Sequence, residues 1–399
     1  MAFPDEFWWG TGASSTQAEG AAPASDWYAL EERGRVPRSG DGNGFATRYA
    51  EDFELYAEHG LTHHRLSIEW ARIEPSEGAR DVQAIEHYRA VLEAAHAAGV
   101  RPWVCLHHFT VPGWFTEIGD GGFVDDRARS YYWARHVAFC AETFGDLVYG
   151  WKPINEPAAY ALIYAQGGRR LSEVDAGKVF DVLGATLLAQ RDAWRELRGS
   201  GQPVATIHNL SPIFAVDDTI PAQRTRRALE AAIWDVWMRA DRDGILELPG
   251  RAALEIPDLR EACDIVGFSY YAALGIGADG NTVPYPTDER VGPLGYAPWS
   301  EGLGLVLHRL HDELPGRPLL VCEHGVGTDD DEWRRDVLSE SLDHVEAAIG
   351  DGVDLRGFFH WTGVDNYEWQ HGFSVPFGLF DRNREPRESA ALMASYAKA

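Results

Sequence analysis

Residues 151–157 of the chain read Trp-Lys-Pro-Ile-Asn-Glu-Pro. An apolar run reaches Ile154 and is followed by an amide and a carboxylate side by side, at Asn155 and Glu156. Pro157 has no backbone N–H and therefore ends further strand pairing. The stretch predicts a buried strand that ends in a polar site.

A second stretch, residues 318–323, repeats this arrangement. Its sequence, Pro-Leu-Leu-Val-Cys-Glu, is almost wholly apolar and ends in one carboxylate, Glu323. Either glutamate alone would most simply be a solvated loop residue or the partner of an arginine, because charged groups are rarely buried unpaired. Together they favour another interpretation, in which two buried strands bring two carboxylates to one pocket.

Strand-like and helical patterns alternate along the chain. The strand-like runs lie at residues 7–13, 64–69, 101–107, 148–154, 204–209, 265–270, 319–322 and 357–361. Helical patterns between them include residues 45–59, 82–98, 128–144, 179–197, 223–239, 302–314 and 332–348. This alternation predicts an α/β fold, a single (β/α)8 TIM barrel over residues 1–399. The two carboxylates would then end strands 4 and 7.

A doubly wound open sheet is the structural alternative. No glycine-rich phosphate-binding motif follows the first strand, which disfavours it. The formal net charge of −26 lacks the basic surface that phosphate binding requires, so we expect no nucleic-acid or membrane partner. Lysine is nearly absent, and the only three are Lys152, Lys178 and Lys398.

The four cysteines, Cys105, Cys140, Cys263 and Cys322, lie far apart in the sequence. They are expected to be reduced core thiols and not a disulfide framework or a metal cluster. No uncharged run approaches the roughly 18 residues of a membrane-spanning helix, and no signal-peptide pattern is present. We expect a cytoplasmic protein, and the sequence makes no prediction of its oligomeric state.

If the barrel is correct, the polar and aromatic residues at the strand ends share one pocket. They are Gln17, Glu19, Arg65, Trp70, His107, His108, Asn155, Glu156, Asn209, Tyr270, Tyr271, Glu323, Trp361, Glu368 and Trp369. Amide, imidazole and carboxyl groups pair with vicinal hydroxyls, and indole faces cover the apolar face of a sugar ring. Two opposed carboxylates are what glycoside hydrolysis needs.

A metal site is the competing interpretation of the histidines and carboxylates. Adjacent residues of a strand point to opposite faces, so only one of His107 and His108 can enter the pocket. No metal-ligand spacing supports a metal, and we expect no metal or other cofactor. His107 is expected to be a structural histidine with satisfied hydrogen bonds, and Tyr270 a packing residue.

Six motifs occur in the order found in a known family. They are Phe7-Trp8-Trp9-Gly10 leading to Gln17-Ala18-Glu19-Gly20, Arg65-Leu66-Ser67-Ile68-Glu69-Trp70-Ala71-Arg72-Ile73-Glu74-Pro75, Leu106-His107-His108-Phe109-Thr110-Val111-Pro112, Asn155-Glu156-Pro157, Glu323-x-Gly325 and Asp365-Asn366-Tyr367-Glu368-Trp369. In these residues the chain resembles the family 1 glycoside hydrolases, whose typical member is a retaining β-glucosidase or β-galactosidase. The resemblance covers nearly the whole length.

The resemblance implies a role for each matching residue. Glu156 would be the general acid/base and Glu323 the nucleophile, with carboxyl groups about 5 to 5.5 Å apart. The nucleophile would be flanked by Arg65 and Tyr271. The glycone would be bound by Gln17, His108, Asn155, Glu368 and Trp369, over a platform formed by Trp361.

The implied partner is a small-molecule β-glycoside. A cation and a phenol beside Glu323 favour its ionised form, whereas Glu156, facing another carboxylate in a partly dry pocket, should have a raised pKa. A carboxylate at Glu368 would repel a phosphate, which favours unphosphorylated gluco-, galacto- or fuco-configured sugars.

Some alternatives stay open. The chain could be a transglycosidase that passes the same covalent intermediate to an acceptor other than water, or a sugar-binding barrel without catalysis. Arg65 could be only an ion-pair partner, and Trp361 and Trp369 could be core aromatics. Ser269 stands where members of the family usually carry Asn, so one contact near the nucleophile or the aglycone is in doubt.

Overall fold

The computed structural model describes residues 3–119, 121–166 and 175–398. Within these residues, eight parallel strands form one sheet. In chain order they are β1 (Trp8–Gly12), β2 (His63–Ser67), β3 (Arg101–His107), β4 (Gly150–Ile154), β5 (His208–Asn209), β6 (Val266–Ser269), β7 (Leu319–His324) and β8 (Leu355–Trp361). Across the sheet their order is β4-β3-β2-β1-β8-β7-β6-β5, so neighbours in sequence are neighbours in space.

Backbone hydrogen bonds join the two edges of this sheet, β4 and β5. Trp151 N donates to Pro203 O and Trp151 O accepts from Ala205 N, each at 2.8 Å, and Glu156 N donates to Ile207 O at 2.8 Å. These bonds close the sheet into a (β/α)8 barrel, as predicted.

The fifth strand is shorter than the predicted residues 204–209. Ladder pairing is confined to His208–Asn209. Upstream, Val204 bridges to Trp151 of β4 and Ala205 bridges to Ile265 before β6. Because these single bridges go to opposite neighbours, they extend neither ladder.

Helices and short strands connect the barrel strands. The α-helices are Ser15–Glu19, Asp26–Glu32, Phe45–Glu58, Trp70–Ile73, Val82–Ala97, Gly113–Thr116, Ala134–Phe144, Pro157–Gln166, Ala176–Leu197, Ile220–Glu230, Val236–Asp243, Ser300–Glu313, Asp331–Gly350 and Glu388–Ala397, with π-helical turns at Ala128–Trp133 and Ala231–Asp235 and 3₁₀ turns at Gly122–Val124, Pro257–Leu259 and Trp369–His371. Outside the barrel, Ile213–Ala215, Ala273–Ile276 and Thr282–Tyr285 form one small sheet, and Ile245–Leu246 pairs with Leu254–Glu255.

The helix Val82–Ala97 shows how the local sequence sets these elements. Asp81 caps it, because its Oδ1 accepts from two backbone N–H groups of the first turn, at 2.8 and 3.1 Å. The buried side chains recur at helical spacing and are Tyr88, Val91, Leu92 and Ala95. Gly99 follows with a φ of +77°, a conformation that favours glycine, and the chain turns into β3.

The barrel interior below the strand ends is mostly apolar. A buried cluster there consists of Trp103, Ala205, Ile207, Ile265, Leu320, Cys322 and Phe359. The side chain of Lys152, on β4, is also buried here and lies against the rings of Trp103 and Phe359.

The four cysteines are all buried and free, as predicted for core thiols. Within the described residues, no group of three or more His, Cys, Asp or Glu side chains is arranged to hold a metal ion. Over the same part of the chain, no helix has the length and apolarity needed to cross a bilayer.

Candidate active site

Glu323 lies at the end of β7, where a β-bulge changes the direction of the side chains. It pairs with Ser269 of β6, and Cys322 is an additional residue without a partner in that ladder. Such a bulge re-aims the side chains that follow it. The Cys322 side chain packs in the barrel interior, whereas the Glu323 carboxyl group reaches Arg65 and Tyr271.

Two donors hold the Glu323 carboxylate. Arg65 Nη2 donates to Oε1, and the Tyr271 hydroxyl donates to Oε2 at 2.6 Å. Burial, and then the charge of Glu323, raise the pKa of Tyr271 well above its usual value, so the phenol keeps its proton. Both oxygens of the Glu323 carboxyl group therefore accept a hydrogen bond from a neighbouring side chain.

Arg65 also determines the tautomer of His108. Its Nη1 lies 2.7 Å from His108 Nδ1, and since a guanidinium only donates, Nδ1 accepts and the ring proton lies on Nε2. Burial and the charge of Arg65 lower the pKa of His108 well below its usual value. The ring is nearly parallel to the indoles of Trp361 and Trp369, at centroid distances of 5.7 and 6.0 Å. His108 is therefore a neutral donor beside two indoles.

Glu156 reaches the site through an unusual backbone conformation. Its φ is +45°, in the left-handed region. Non-glycine residues adopt this region seldom, and such residues cluster at functional sites. The helix Pro157–Gln166 begins at the next residue, so the carboxyl group lies between the end of β4 and the start of a helix.

The environment of Glu156 favours its protonated form. Burial, and then the negative charge of Glu323, raise the pKa of Glu156 to about 8. The Ser269 hydroxyl donates to Glu156 Oε1, which lowers this pKa in part. Glu156 is therefore protonated at neutral pH and can act as a proton donor.

Asn155 presents a buried amide beside Glu156. Its backbone N–H donates to His107 O at 2.9 Å. Neither Oδ1 nor Nδ2 has a hydrogen-bond partner among the residues that the structure describes. Because buried polar groups are nearly always paired, this amide can bind the hydroxyls of a ligand.

Gln17 and Glu368 form a further polar pair. Gln17 Nε2 donates to Glu368 Oε2 at 3.1 Å and to Tyr367 O at 2.8 Å, and Ser14 Oγ donates to Gln17 Oε1 at 2.9 Å. Burial first, and then the charge of Glu323, raise the pKa of Glu368 to about 8. Because Glu156 adds to this effect, all three carboxyl groups interact.

Five residues predicted at the strand ends have partners outside this group. Three of them form hydrogen bonds: Glu19 accepts from the Tyr88 hydroxyl at 3.0 Å, Asn209 Oδ1 accepts from Ala159 N at 3.0 Å, and the Tyr270 hydroxyl donates to Trp299 O at 2.6 Å. The ring of Trp70 stacks on that of His136, with 4.6 Å between centroids. The ring of His107 packs against Phe123 and Tyr160, at centroid distances of 5.0 and 4.8 Å. The packing role expected for Tyr270 agrees with this. The prediction that His107 has satisfied hydrogen bonds is wrong for the described residues, because neither of its ring nitrogens has a partner among them.

Two features of the site were not predicted. The contact from Ser269 to Glu156 joins residues 113 positions apart, and a single serine gives no sequence signal for it. Tyr296 lies 6.4 Å from Tyr271 between ring centroids, and burial followed by the charges of Glu368 and Glu156 raises its pKa. It belongs to a loop between Thr282–Tyr285 and Ser300–Glu313, where no periodicity marks a site.

Known proteins resemble this chain over nearly its whole length. The sequence pattern of glycosyl hydrolase family 1 matches residues 1–238 and 248–398. The 1,4-beta-D-glucan glucohydrolase of Thermotoga neapolitana is 26% identical over 96% of this chain and 99% of its own length. The 6-phospho-beta-glucosidase GmuD of Bacillus subtilis is 24% identical over 96% and 93%. The structure of the beta-glycosidase from Pyrococcus horikoshii has a TM-score of 0.89 at 29% identity, covering 100% of this chain and 95% of that one. The resemblance and the predicted barrel are thus confirmed: the chain belongs to glycosyl hydrolase family 1 and is a glycoside hydrolase.

Proposed function

We propose that this enzyme hydrolyses unphosphorylated β-glucosides, β-galactosides or β-fucosides with retention of the anomeric configuration. In the first step, Glu323 attacks the anomeric carbon and the glycosidic bond breaks while Glu156 donates its proton to the leaving oxygen. In the second step, Glu156 takes a proton from water, which attacks the glycosyl ester and releases Glu323.

One observation carries this proposal. Ser269 donates a hydrogen bond to Glu156 and is the ladder partner of Glu323. One residue therefore adjoins both glutamates. Burial keeps Glu156 protonated, whereas the Glu323 carboxyl group accepts hydrogen bonds from Arg65 and Tyr271. A proton donor beside an ionised nucleophile is what the first step requires.

The anomeric configuration of the first product tests the mechanism. A retaining enzyme releases the β-anomer from a β-glycoside before mutarotation, because two displacements each invert the anomeric carbon. Proton NMR in the first minutes of the reaction should therefore show the β-anomer. An initial α-anomer would reject the double displacement.

The proposed glycone contacts follow from the unpaired polar atoms of the pocket. His108 Nε2–H can donate, and the amide of Asn155 can donate and accept. Gln17 holds Glu368 in place for two further hydroxyls. Trp361 would lie under the sugar ring, since an indole face suits the apolar face of a pyranose. A panel of nitrophenyl β-glycosides that differ only in the sugar would identify the preferred glycone.

Phosphorylated sugars should be poor substrates, for a reason that differs from the simple repulsion expected from the sequence. At pH 7 Glu368 is largely protonated, because its pKa is raised to about 8. After burial, the strongest influences on its pKa within the described residues come from Glu323, Gln17, Glu156 and Trp361, and none of these is a cation. A buried phosphate there would lack a counter-charge.

We therefore expect kcat/KM for a 6-phospho-β-glucoside to be at least about 100-fold below that of the parent glucoside at pH 7. The ratio should grow between pH 7 and pH 9, because Glu368 then becomes charged, while loss of the Glu156 proton affects both substrates alike. In Glu368→Gln the ratio should no longer change with pH. A preference for the phosphorylated substrate would contradict the assignment.

The hydroxyl of Ser269 should set the basic limb of the pH profile. In Ser269→Ala the hydrogen bond that lowers the pKa of Glu156 is lost, so this pKa rises. The basic limb of kcat/KM should move to higher pH by up to about one unit. Ser341→Ala is a matched control, because Ser341 is equally buried and its hydroxyl has no partner among the described residues. An unmoved limb in Ser269→Ala would show that the contact does not act on the acid.

A further inference from the structure

A second cavity lies at the end of the barrel opposite the candidate active site. We call it the basal cavity, and its volume is about 660 Å³. Its lining includes Trp8, His63 and Arg101, which are the first residues of β1, β2 and β3, and Tyr149, which immediately precedes β4. Strand starts and strand ends form opposite faces of a parallel barrel. Among the described residues, none that lines the basal cavity belongs to the candidate active site.

Aromatic rings form the floor of the basal cavity. The ring centroid of His63 lies 5.5 Å from that of Trp8 and 5.2 Å from that of Tyr149. Trp103, which is fully buried in the barrel interior, packs against Trp8 and Tyr149 at 5.6 and 5.5 Å. Trp8 and Tyr149 themselves are partly exposed. Their exposed ring surface can therefore cover the apolar face of a ligand.

His63 contributes a polar atom to this aromatic floor. The residue is only 1% exposed, and its Nδ1 lies 2.9 Å from the hydroxyl oxygen of Thr62. Its Nε2 has no hydrogen-bond partner among the described residues. Burial lowers the pKa of His63 to about 3, so the ring is neutral at pH 7. Because buried polar atoms are nearly always paired, a purely apolar ligand would leave Nε2 unsatisfied, whereas a hydroxyl group can pair with either tautomer.

The charged side chains of the basal cavity narrow the class of ligand further. The lining includes three acidic residues, Asp5, Glu6 and Glu346, and one arginine, Arg101. This balance disfavours an anion. The guanidinium carbon of Arg101 lies 5.1 Å from the ring centroid of Tyr149, so a cation already occupies a face of that ring and would repel a second one. The remaining class is a neutral molecule that has both an apolar face and hydroxyl groups.

We propose that the basal cavity is a non-catalytic binding site for a neutral sugar. The rings of Trp8 and Tyr149 would cover the apolar face of a pyranose, and His63 and Arg101 would pair with its hydroxyl groups. The volume lies within the range of roughly 300 to 1,000 Å³ that is typical of pockets for small ligands. The inference goes beyond the proposed function and does not depend on turnover.

Fluorine NMR can observe this site separately from the catalytic pocket. The chain has 15 tryptophans, and after labelling with 5-fluorotryptophan the Trp8 signal is identified by its absence in Trp8→Phe. D-glucose is the probe, because it needs no hydrolysis. The Trp8 signal of wild-type protein should shift saturably with glucose, with a midpoint in the millimolar range or below. Tetramethylammonium chloride and inorganic phosphate at the same concentrations should leave it unmoved.

A pair of arginine variants tests the lining. Arg101→Met should weaken the binding of glucose at Trp8 by about tenfold, because hydrogen bonds to a charged donor are lost. Arg356→Met is the matched control, since Arg356 is an exposed arginine near the start of β8 that pairs with Asp354 at 2.7 Å and does not line the basal cavity. It should leave the midpoint unchanged. Both variants should keep the wild-type kcat/KM for a nitrophenyl β-glucoside.

If Trp8→Phe does not fold, equilibrium dialysis with radiolabelled glucose replaces the fluorine signal. At a concentration near the midpoint, wild-type protein and Arg356→Met should then bind more glucose per chain than Arg101→Met. Equal binding by all three proteins would overturn the inference. So would a Trp8 signal that stays fixed while other tryptophan signals shift with glucose, or one that responds to phosphate or tetramethylammonium and not to glucose. Failure of the proposed function would appear separately, as an inverted product from wild-type enzyme.

Discussion

Replacing Glu323 with alanine should lower the hydrolysis of aryl β-glycosides on the order of 10⁴-fold, and azide or formate should restore turnover. The carboxylate is the proposed nucleophile, so the covalent intermediate cannot form without it. The emptied position lies beside Arg65 and Tyr271, which in the wild type hold an anion. A small anion can occupy that position and attack the anomeric carbon once.

The product identifies the attacking position. One displacement inverts the configuration, so azide should give the α-glycosyl azide in Glu323→Ala. Glu332→Ala removes an exposed carboxylate and should keep the wild-type rate. Because Arg65 loses its buried partner in Glu323→Ala, unfolding should become easier by about 3 to 5 kcal/mol, and circular dichroism must show that the variant is folded. A folded Glu323→Ala with a near wild-type rate would refute the assignment.

The elements of this site that could be predicted from the sequence are those that depend on local pattern. Short apolar runs placed Glu156 and Glu323 at the ends of strands, and in a parallel barrel the strand ends of one face necessarily meet. The helix Val82–Ala97 was likewise predicted, at residues 82–98.

The features that escaped prediction depend on contacts between distant parts of the chain. The bulge at Cys322 is a mismatch of register with β6, which no local pattern encodes. Glu156 combines a positive φ with a backbone hydrogen bond to Ile207, a residue 51 positions away. The contact with Ser269 requires both features together. The bulge, the backbone conformation of Glu156 and the contact with Ser269 are therefore set by tertiary structure, and only the three-dimensional structure shows them.

Replacing Glu156 with alanine should separate the two chemical steps. For a disaccharide or an alkyl glycoside, whose leaving group needs a proton, kcat/KM should fall by about 10² to 10⁴. For a dinitrophenyl glycoside, whose leaving group departs as a stable anion, the first step should remain within about tenfold of the wild-type rate. The glycosyl enzyme should then accumulate, because no base activates water, and mass spectrometry should detect it on Glu323.

The pH profile and the azide product provide independent checks on Glu156→Ala. Wild-type kcat/KM needs a protonated Glu156 and should fall as the pH rises through about 8, the pKa of this residue. The variant has no such proton to lose, so this basic limb should disappear with the dinitrophenyl substrate. Azide should accelerate the second step and give the β-glycosyl azide, since attack on the intermediate inverts a second time. The two variants thus control for each other: if both gave the same azide anomer, Glu156 and Glu323 could not lie on opposite sides of the anomeric carbon.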